Sequence, residues 1–120
     1  MGELNLLIVD DEELLVESLA RFFARKDFNV LTATRVAEAI SLIHAHDIQI
    51  VITDMRMPDG LGTEVIKAAR HKHQGAIIIC ATGFSEVDET TIIKGGADLV
   101  ISKPFEKKAL LSEILSRLAS

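Results

Sequence analysis

Five short apolar runs punctuate a chain of 120 residues, and three of them are almost without a polar break. They span residues 4–9, 30–31 with their flanks, 48–53, 76–81 and 99–101. A strand wetted on one side alternates apolar and polar residues, whereas a strand covered on both sides does not. The unbroken runs therefore call for a sheet buried on both faces. Segments between and after them carry helical spacing. Leu15, Leu19 and Phe22 share one face, as do Val36, Ile40 and Ile43. Residues 62–71 fit a shorter helix with Val65, Ala68 and Ala69 inward, and Leu111, Ile114, Leu115 and Leu118 form a last stripe. Residues 87–94 make the least apolar helix; it opens on Asp88, Glu89, Thr90 and Thr91 and stops at Gly95-Gly96, a C-terminal cap.

Strand and helix thus alternate five times. That rhythm predicts parallel strands joined by right-handed crossovers, with helices on both faces. The expected fold is α/β: a (βα)5 doubly wound, parallel, five-stranded sheet, in one domain over residues 1–120. An eight-fold barrel would need about twice the chain. At 48% hydrophobic residues the chain can fill a core, which excludes a disordered tail and a disulfide-stapled mini-protein. Cys80 has no partner cysteine in the sequence, so a reducing compartment is expected. With 13 basic against 18 acidic residues, a net −5, direct nucleic-acid binding is not expected. No apolar run reaches the about 18 residues that cross a bilayer. The first five residues lack the basic start of a signal peptide. A cytoplasmic protein is the expectation. The last helical stripe runs to Ser120 with no stop signal, as in a piece cut from a longer protein.

In open α/β sheets the functional crevice lies at the carboxyl ends of the strands. Asp10, Asp11, Glu12 and Glu13 follow the first run, and Asp54 follows the third. Thr82 and Gly83 come after the fourth; Lys103, Pro104 and Phe105 come after the fifth. In the expected fold these positions meet on one rim. Three carboxylates in a partly desolvated site repel one another, and a cation among them relieves the repulsion. Oxygen ligands with access to water favour a hard ion such as Mg2+. Lys103 adds a positive charge suited to a phosphoryl oxygen, and Thr82 adds a hydroxyl. Carboxylate nucleophile, divalent ion, amine and hydroxyl are together the parts of a phosphoryl-accepting site. Taken singly, each has a plainer role. Asp10 with Glu13 fits a capping box, Asp54 a turn, Thr82-Gly83 a loop start and Lys103 a solvated lysine. Their joint placement, each past a separate strand, carries the phosphoryl-site reading.

The ordered set Leu7-Ile8-Val9-Asp10-Asp11-Glu12, Asp54-Met55-Arg56-Met57-Pro58 with Gly62, Ala81-Thr82-Gly83 and Lys103-Pro104-Phe105 resembles the receiver domain of a bacterial two-component response regulator. The likeness covers essentially the whole chain. It implies a flavodoxin-like strand order, 2-1-3-4-5. It implies that Asp54 is phosphorylated by a sensor histidine kinase or phosphotransfer protein, or by a small donor such as acetyl phosphate. Asp10, Asp11, Asp54 and the backbone carbonyl of Arg56 would hold Mg2+, Asp11 directly and Asp10 often through water. Thr82 and Lys103 would contact the phosphoryl group. The acyl phosphate would decay by water attack, so the domain assists its own modification and turns over no external substrate. A shift of the fourth and fifth strands and the fourth helix would be read by an output domain, a partner protein or a phosphorylation-dependent homodimer.

One departure stands out. Receivers usually carry Tyr or Phe three residues before the lysine, coupled to the threonine. Here that position is Val100, and the chain has no Tyr or Trp. Phe84, two residues past Thr82, is the nearest aromatic that can join the switch, and it is expected to hinder the attacking water. Other residues attract plainer readings. His44 and His46, and His71 and His73, are i, i+2 pairs that point to opposite helix faces, so they read as solvated, not as metal ligands. Cys80, inside an apolar run, reads as a buried structural thiol. Lys107, Lys108, Glu113 and Arg117 suggest a dimer or partner face on the last helix. A flavin carrier is disfavoured by four carboxylates after the first strand, where a phosphate cradle wants backbone amides. A phosphatase of external substrates is disfavoured by Arg56, where such hydrolases carry a second Asp. A phosphorylation-independent, receiver-like protein-binding module is the alternative that Val100 favours.

Overall fold

The structure, a computed structural model, describes residues 3–83 and 88–120. In chain order its elements are β1 (Asn5–Val9), α1 (Glu13–Ala24), β2 (Asn29–Ala33), α2 (Val36–Ala45), β3 (Ile50–Thr53), β4 (Arg56–Met57), β5 (Gly60–Leu61), α3 (Gly62–Lys72), β6 (Ile77–Thr82), α4 (Glu89–Lys94), β7 (Leu99–Ser102) and α5 (Lys107–Leu118). Five strands form one parallel sheet in the order β2-β1-β3-β6-β7. Counted without the short β4–β5 pair, that is the doubly wound sheet predicted by the strand–helix rhythm, in the 2-1-3-4-5 order implied by the resemblance to receiver domains. The antiparallel β4–β5 pair was not anticipated; its residues read as a turn after Asp54.

The unbroken strands are explained by their cover. Alternate residues of β1, β3 and β6 feed two separate cores. Leu7, Val9, Val51, Ile78 and Cys80 pack with Val36, Ala39, Ile43, Val65, Ile66 and Ile92 of α2, α3 and α4. Leu6, Ile8, Ile50, Ile52 and Ile79 pack on the other face with Val16, Leu19 and Phe23 of α1 and Leu110 and Ile114 of α5. Among the described residues no helix is long and apolar enough to cross a membrane.

Two expected helix stripes are rotated. In α1 the buried residues are Val16, Leu19 and Phe23, with Leu15 and Phe22 only half-buried at the flank. Phe23 makes edge-on contacts with Phe22 and Phe28, at centroid distances of 5.1 and 5.8 Å. In α5 the buried pair is Leu110 and Ile114, whereas Leu115 and Leu118 are exposed. Both helices contain adjacent apolar residues, so more than one stripe satisfies a 3.6-residue period. In α3, Ile66 joins Val65 and Ala69 in the core and Ala68 is half-buried.

Helix α4 begins where Asp88 Oδ1 accepts from Thr91 N–H at 2.8 Å, and it ends at Gly95, followed by Gly96 at φ +123°. That turn is pinned from α3 by Arg70. Its guanidinium donates to Gly96 O (3.0 Å from Nε, 2.8 Å from Nη2), Gln74 O (2.7 Å), Ala76 O (2.8 Å) and Asp98 Oδ2 (2.8 Å). Asp98 Oδ2 also accepts from Ile78 N–H at 2.8 Å. All five guanidinium donors are thus spent on the α4–β7 turn, Asp98 and the approach to β6.

Candidate metal centre at the carboxyl edge of the sheet

Asp10 continues β1 by one residue, its N–H bonded to Ala33 O at 3.1 Å, and its side chain turns inward to 6% exposure. Oδ1 accepts from Glu12 N–H at 2.9 Å, and Oδ2 accepts from Lys103 Nζ at 2.6 Å. The capping box with Glu13 does not form. Glu12 is the N-cap of α1 and makes no side-chain cap bond. Next door, Asp54 leaves β3 with its N–H on Val9 O at 2.8 Å. Its Oδ1 accepts from Met55 N–H at 2.8 Å, and its Oδ2 lies 3.4 Å from Lys103 Nζ. Asp11 is exposed beside them, and one oxygen from each of Asp10, Asp11 and Asp54 falls within 4.8 Å of the others. Glu12 Oε1 stands 3.8 Å from Lys103 Nζ.

The charges are strongly coupled. Burial, and next the Asp10 charge, push the Asp54 carboxyl above its ordinary value; Lys103 and the Met55 N–H offset this only in part. Burial alone would lower Lys103. The hydrogen bond and charge of Asp10, with the charges of Asp54 and Glu12, outweigh it and hold the amine above its ordinary value. Cys80, beneath the site, is pushed up to about 12 by burial and by the Asp54 charge, which leaves it an inert thiol. One amine thus faces an excess of carboxylate charge. The cluster is all oxygen, graded from buried to solvent-open, and no His or Cys joins it among the described residues. Such a donor set fits a hard divalent cation.

The loop after Asp54 is held against the cluster by its backbone. Gly62 N–H bonds Met55 O at 2.6 Å, and a Cβ on Gly62 would sit 2.0 Å from Asp54 O. Only glycine admits so close an approach. Leu61 N–H bonds Glu64 Oε2 at 3.0 Å, opening α3. Arg56 is exposed in β4, opposite Leu61. Thr82 is the half-buried last residue of β6, paired with Ser102, and its carbonyl accepts from Lys103 N–H at 2.9 Å. Val100 pairs with Cys80 and packs, half-buried, on the α2–α3–α4 side. Lys103–Pro104 is a cis peptide. Between α1 and the start of α5 a groove of about 400 Å³ adjoins the site, lined by Leu15, Leu19, Pro104 and Phe105 with Glu12 and Lys107. Phe84 lies outside the described residues.

The histidines stay away from the cluster, but His73 is not simply solvated. It is half-buried, and its Nε2 lies 2.9 Å from Ile43 O, bridging the end of α3 to the last turn of α2. Sequence reasoning also missed Asp59. Its carboxylate takes the first two N–H groups of α2, from Val36 at 2.8 Å and Ala37 at 3.0 Å. Asp59-Gly60 reads as a turn, and no local signal reveals a cap partner more than 20 positions away.

Comparison with known proteins agrees with this geometry. Residues 6–115 match the family model described as the response regulator receiver domain. The transcriptional regulatory protein CpxR of Escherichia coli (strain K12) is 31% identical over 110 residues, which cover 92% of this chain and 47% of that protein. The chain thus spans about half the length of the curated relatives it matches. A CheY-like response regulator receiver domain protein from Methanospirillum hungatei JF-1 superposes with TM-score 0.92 at 26% identity, covering 98% of this chain and 95% of the other. A response regulator protein from Burkholderia pseudomallei, solved with a phosphorylated aspartic acid, a calcium ion and citrate, gives TM-score 0.85 at 26% identity over 98% and 74% of the two chains.

Proposed function

Because this chain belongs to the response regulator receiver domain family of two-component systems, we propose that it is a phosphoacceptor switch whose reacting group is Asp54. The observation that carries the proposal is the pairing of Asp54 Oδ2 with Lys103 Nζ at 3.4 Å beside the acids of Asp10 and Asp11. Oδ1 is held by the Met55 N–H at 2.8 Å and Oδ2 only by the longer approach of Lys103 at 3.4 Å, so Oδ2 is the attacking oxygen. It attacks the phosphorus of a phosphohistidine on a sensor histidine kinase or phosphotransfer protein. The new O–P bond forms as the P–N bond breaks, and the leaving imidazole takes up a proton. Lys103 neutralises a phosphoryl oxygen, and the Thr82 hydroxyl donates to another. Asp10, Asp11, Asp54 and the Arg56 carbonyl would hold Mg2+, which would supply the charge neutralisation that phosphoryl transfer needs. The phosphorylated carboxylate of the Burkholderia pseudomallei relative, solved with a divalent ion, supports the same assignment here.

Water attack on the acyl phosphate resets the switch, so the domain catalyses its own modification and not the turnover of a separate substrate. The signal passes to an output domain, a partner protein or a second copy of the chain, in the cytoplasm with the kinase. The half-length match to CpxR supports a receiver that belongs to a longer regulator. Val100, which has no ring to swing, is the observation that favours a phosphorylation-independent binding module instead. One experiment separates the two. Incubation with acetyl phosphate and Mg2+, followed by intact mass, gives a single phosphoryl adduct in the wild type and none in Asp54→Ala. A wild type without an adduct, or an adduct that persists in Asp54→Ala, overturns the proposal.

A further inference from the structure

We infer that Asp59 is a positioning residue, a latch that fastens the reacting loop to the amino end of α2. The inference rests on the reading above, in which the Arg56 carbonyl joins the metal ligands. Helix α2 starts without help from its own N-cap, since Arg35 makes no side-chain cap bond. Its first two N–H groups are instead taken by the two oxygens of one carboxylate, Asp59, which lies 22 and 23 positions further along the chain. A side-chain cap normally comes from the residue next to the helix. Here it comes from the tip of the β4–β5 pair, whose first residue is Arg56.

The pair is four residues of strand, too short to hold its own attitude. Its near end is tied by Gly62 N–H to Met55 O and by Leu61 N–H to Glu64. Asp59 ties its far end, and Met57 is buried between the two ties. Gly60 leaves little room beside the same helix: a Cβ there would come within 3.3 Å of Val36 Cγ2. The same two N–H bonds hold the Asp59 carboxyl below its ordinary value, so the latch is an ion at neutral pH. Fixing both ends sets the direction of the Arg56 carbonyl before any ion arrives, which raises affinity by pre-organisation.

Calorimetric titration of Mg2+ into the wild type, Asp59→Ala, Asp59→Asn and Ser41→Gly tests the latch. Ser41 is exposed in the middle of α2, so its glycine variant weakens the helix without touching the contact. Asp59→Ala is expected to bind Mg2+ roughly 10-fold more weakly, a typical loss for a supporting partner of a metal site. Asp59→Asn keeps one acceptor and falls between. Ser41→Gly lowers the melting temperature with Mg2+ affinity unchanged. Acetyl-phosphate labelling of Asp59→Ala recovers at saturating Mg2+, as lost positioning requires and misfolding does not allow. Wild-type affinity in both Asp59 variants overturns the latch alone. Should Asp59→Ala not fold, Asp59→Asn against Ser41→Gly at matched melting temperature decides in the same way. A wild type that neither binds Mg2+ nor takes a phosphoryl group overturns the receiver reading and the latch with it.

Discussion

Lys103 faces Asp10 at 2.6 Å, Asp54 at 3.4 Å and Glu12 at 3.8 Å, and one amine does not balance them. The strain shows in Asp54, whose carboxyl is raised mainly by burial and then by Asp10. A raised carboxyl binds its proton more tightly in the folded chain than in the unfolded one. Ionised Asp54 therefore costs stability above its raised value. Asp54→Asn keeps an acceptor for the Met55 N–H and removes the charge. In the presence of a chelator it should melt a few degrees above the wild type at neutral pH. The gap should close as pH falls below the ordinary carboxylate range, where both forms are neutral. A gap independent of pH would contradict the charge argument. Lys103 has the opposite sign: its contribution is complete below the ordinary lysine range and is lost as pH rises through the raised value. Phe84 is argued from position alone, two residues past Thr82. Phe84→Ala should lose its phosphoryl group several-fold faster, read as decay of the mass adduct, and an unchanged rate removes the shielding role.

Arg70 closes the end of the sheet opposite the acids, joining α3 to the α4–β7 turn and to β6. A lysine there keeps the charge but not the planar fork. Arg70→Lys should cost about 2 kcal/mol in urea unfolding, because several part-buried acceptors lose their donor. A cost under about 0.5 kcal/mol would show that water replaces the fork. At this scale legibility divides sharply. The strands were readable because cover on both faces removes polar residues from a run, and that pattern is local. The faces of α1 and α5 were misread because Leu14-Leu15-Val16, Phe22-Phe23 and Leu110-Leu111 let the apolar stripe slide by one residue. Only packing against the sheet selects Val16 and Phe23, or Leu110 and Ile114.

Over the whole molecule, the acids gather because the topology gathers them. Asp10 and Asp54 end neighbouring parallel strands, and Lys103 follows the edge strand β7. That Asp10, Asp54 and Lys103, from three separate strand ends, meet on one rim was legible once a doubly wound sheet was inferred. Contacts that the fold makes between distant loops were not legible. The Asp59 cap and the Arg70 fork join residues that share no local motif, and their pairing exists only after the chain has folded. In the proposed function, this convergence makes Asp54 the phosphorylated residue. Borohydride reduction of the acetyl-phosphate-treated protein, followed by peptide mass mapping, tests it most directly, because an aspartyl phosphate is reduced to homoserine. Homoserine at position 54, dependent on Mg2+, is the predicted result. Reduction at Asp10, Asp11 or elsewhere, with residue 54 still aspartate, would contradict it.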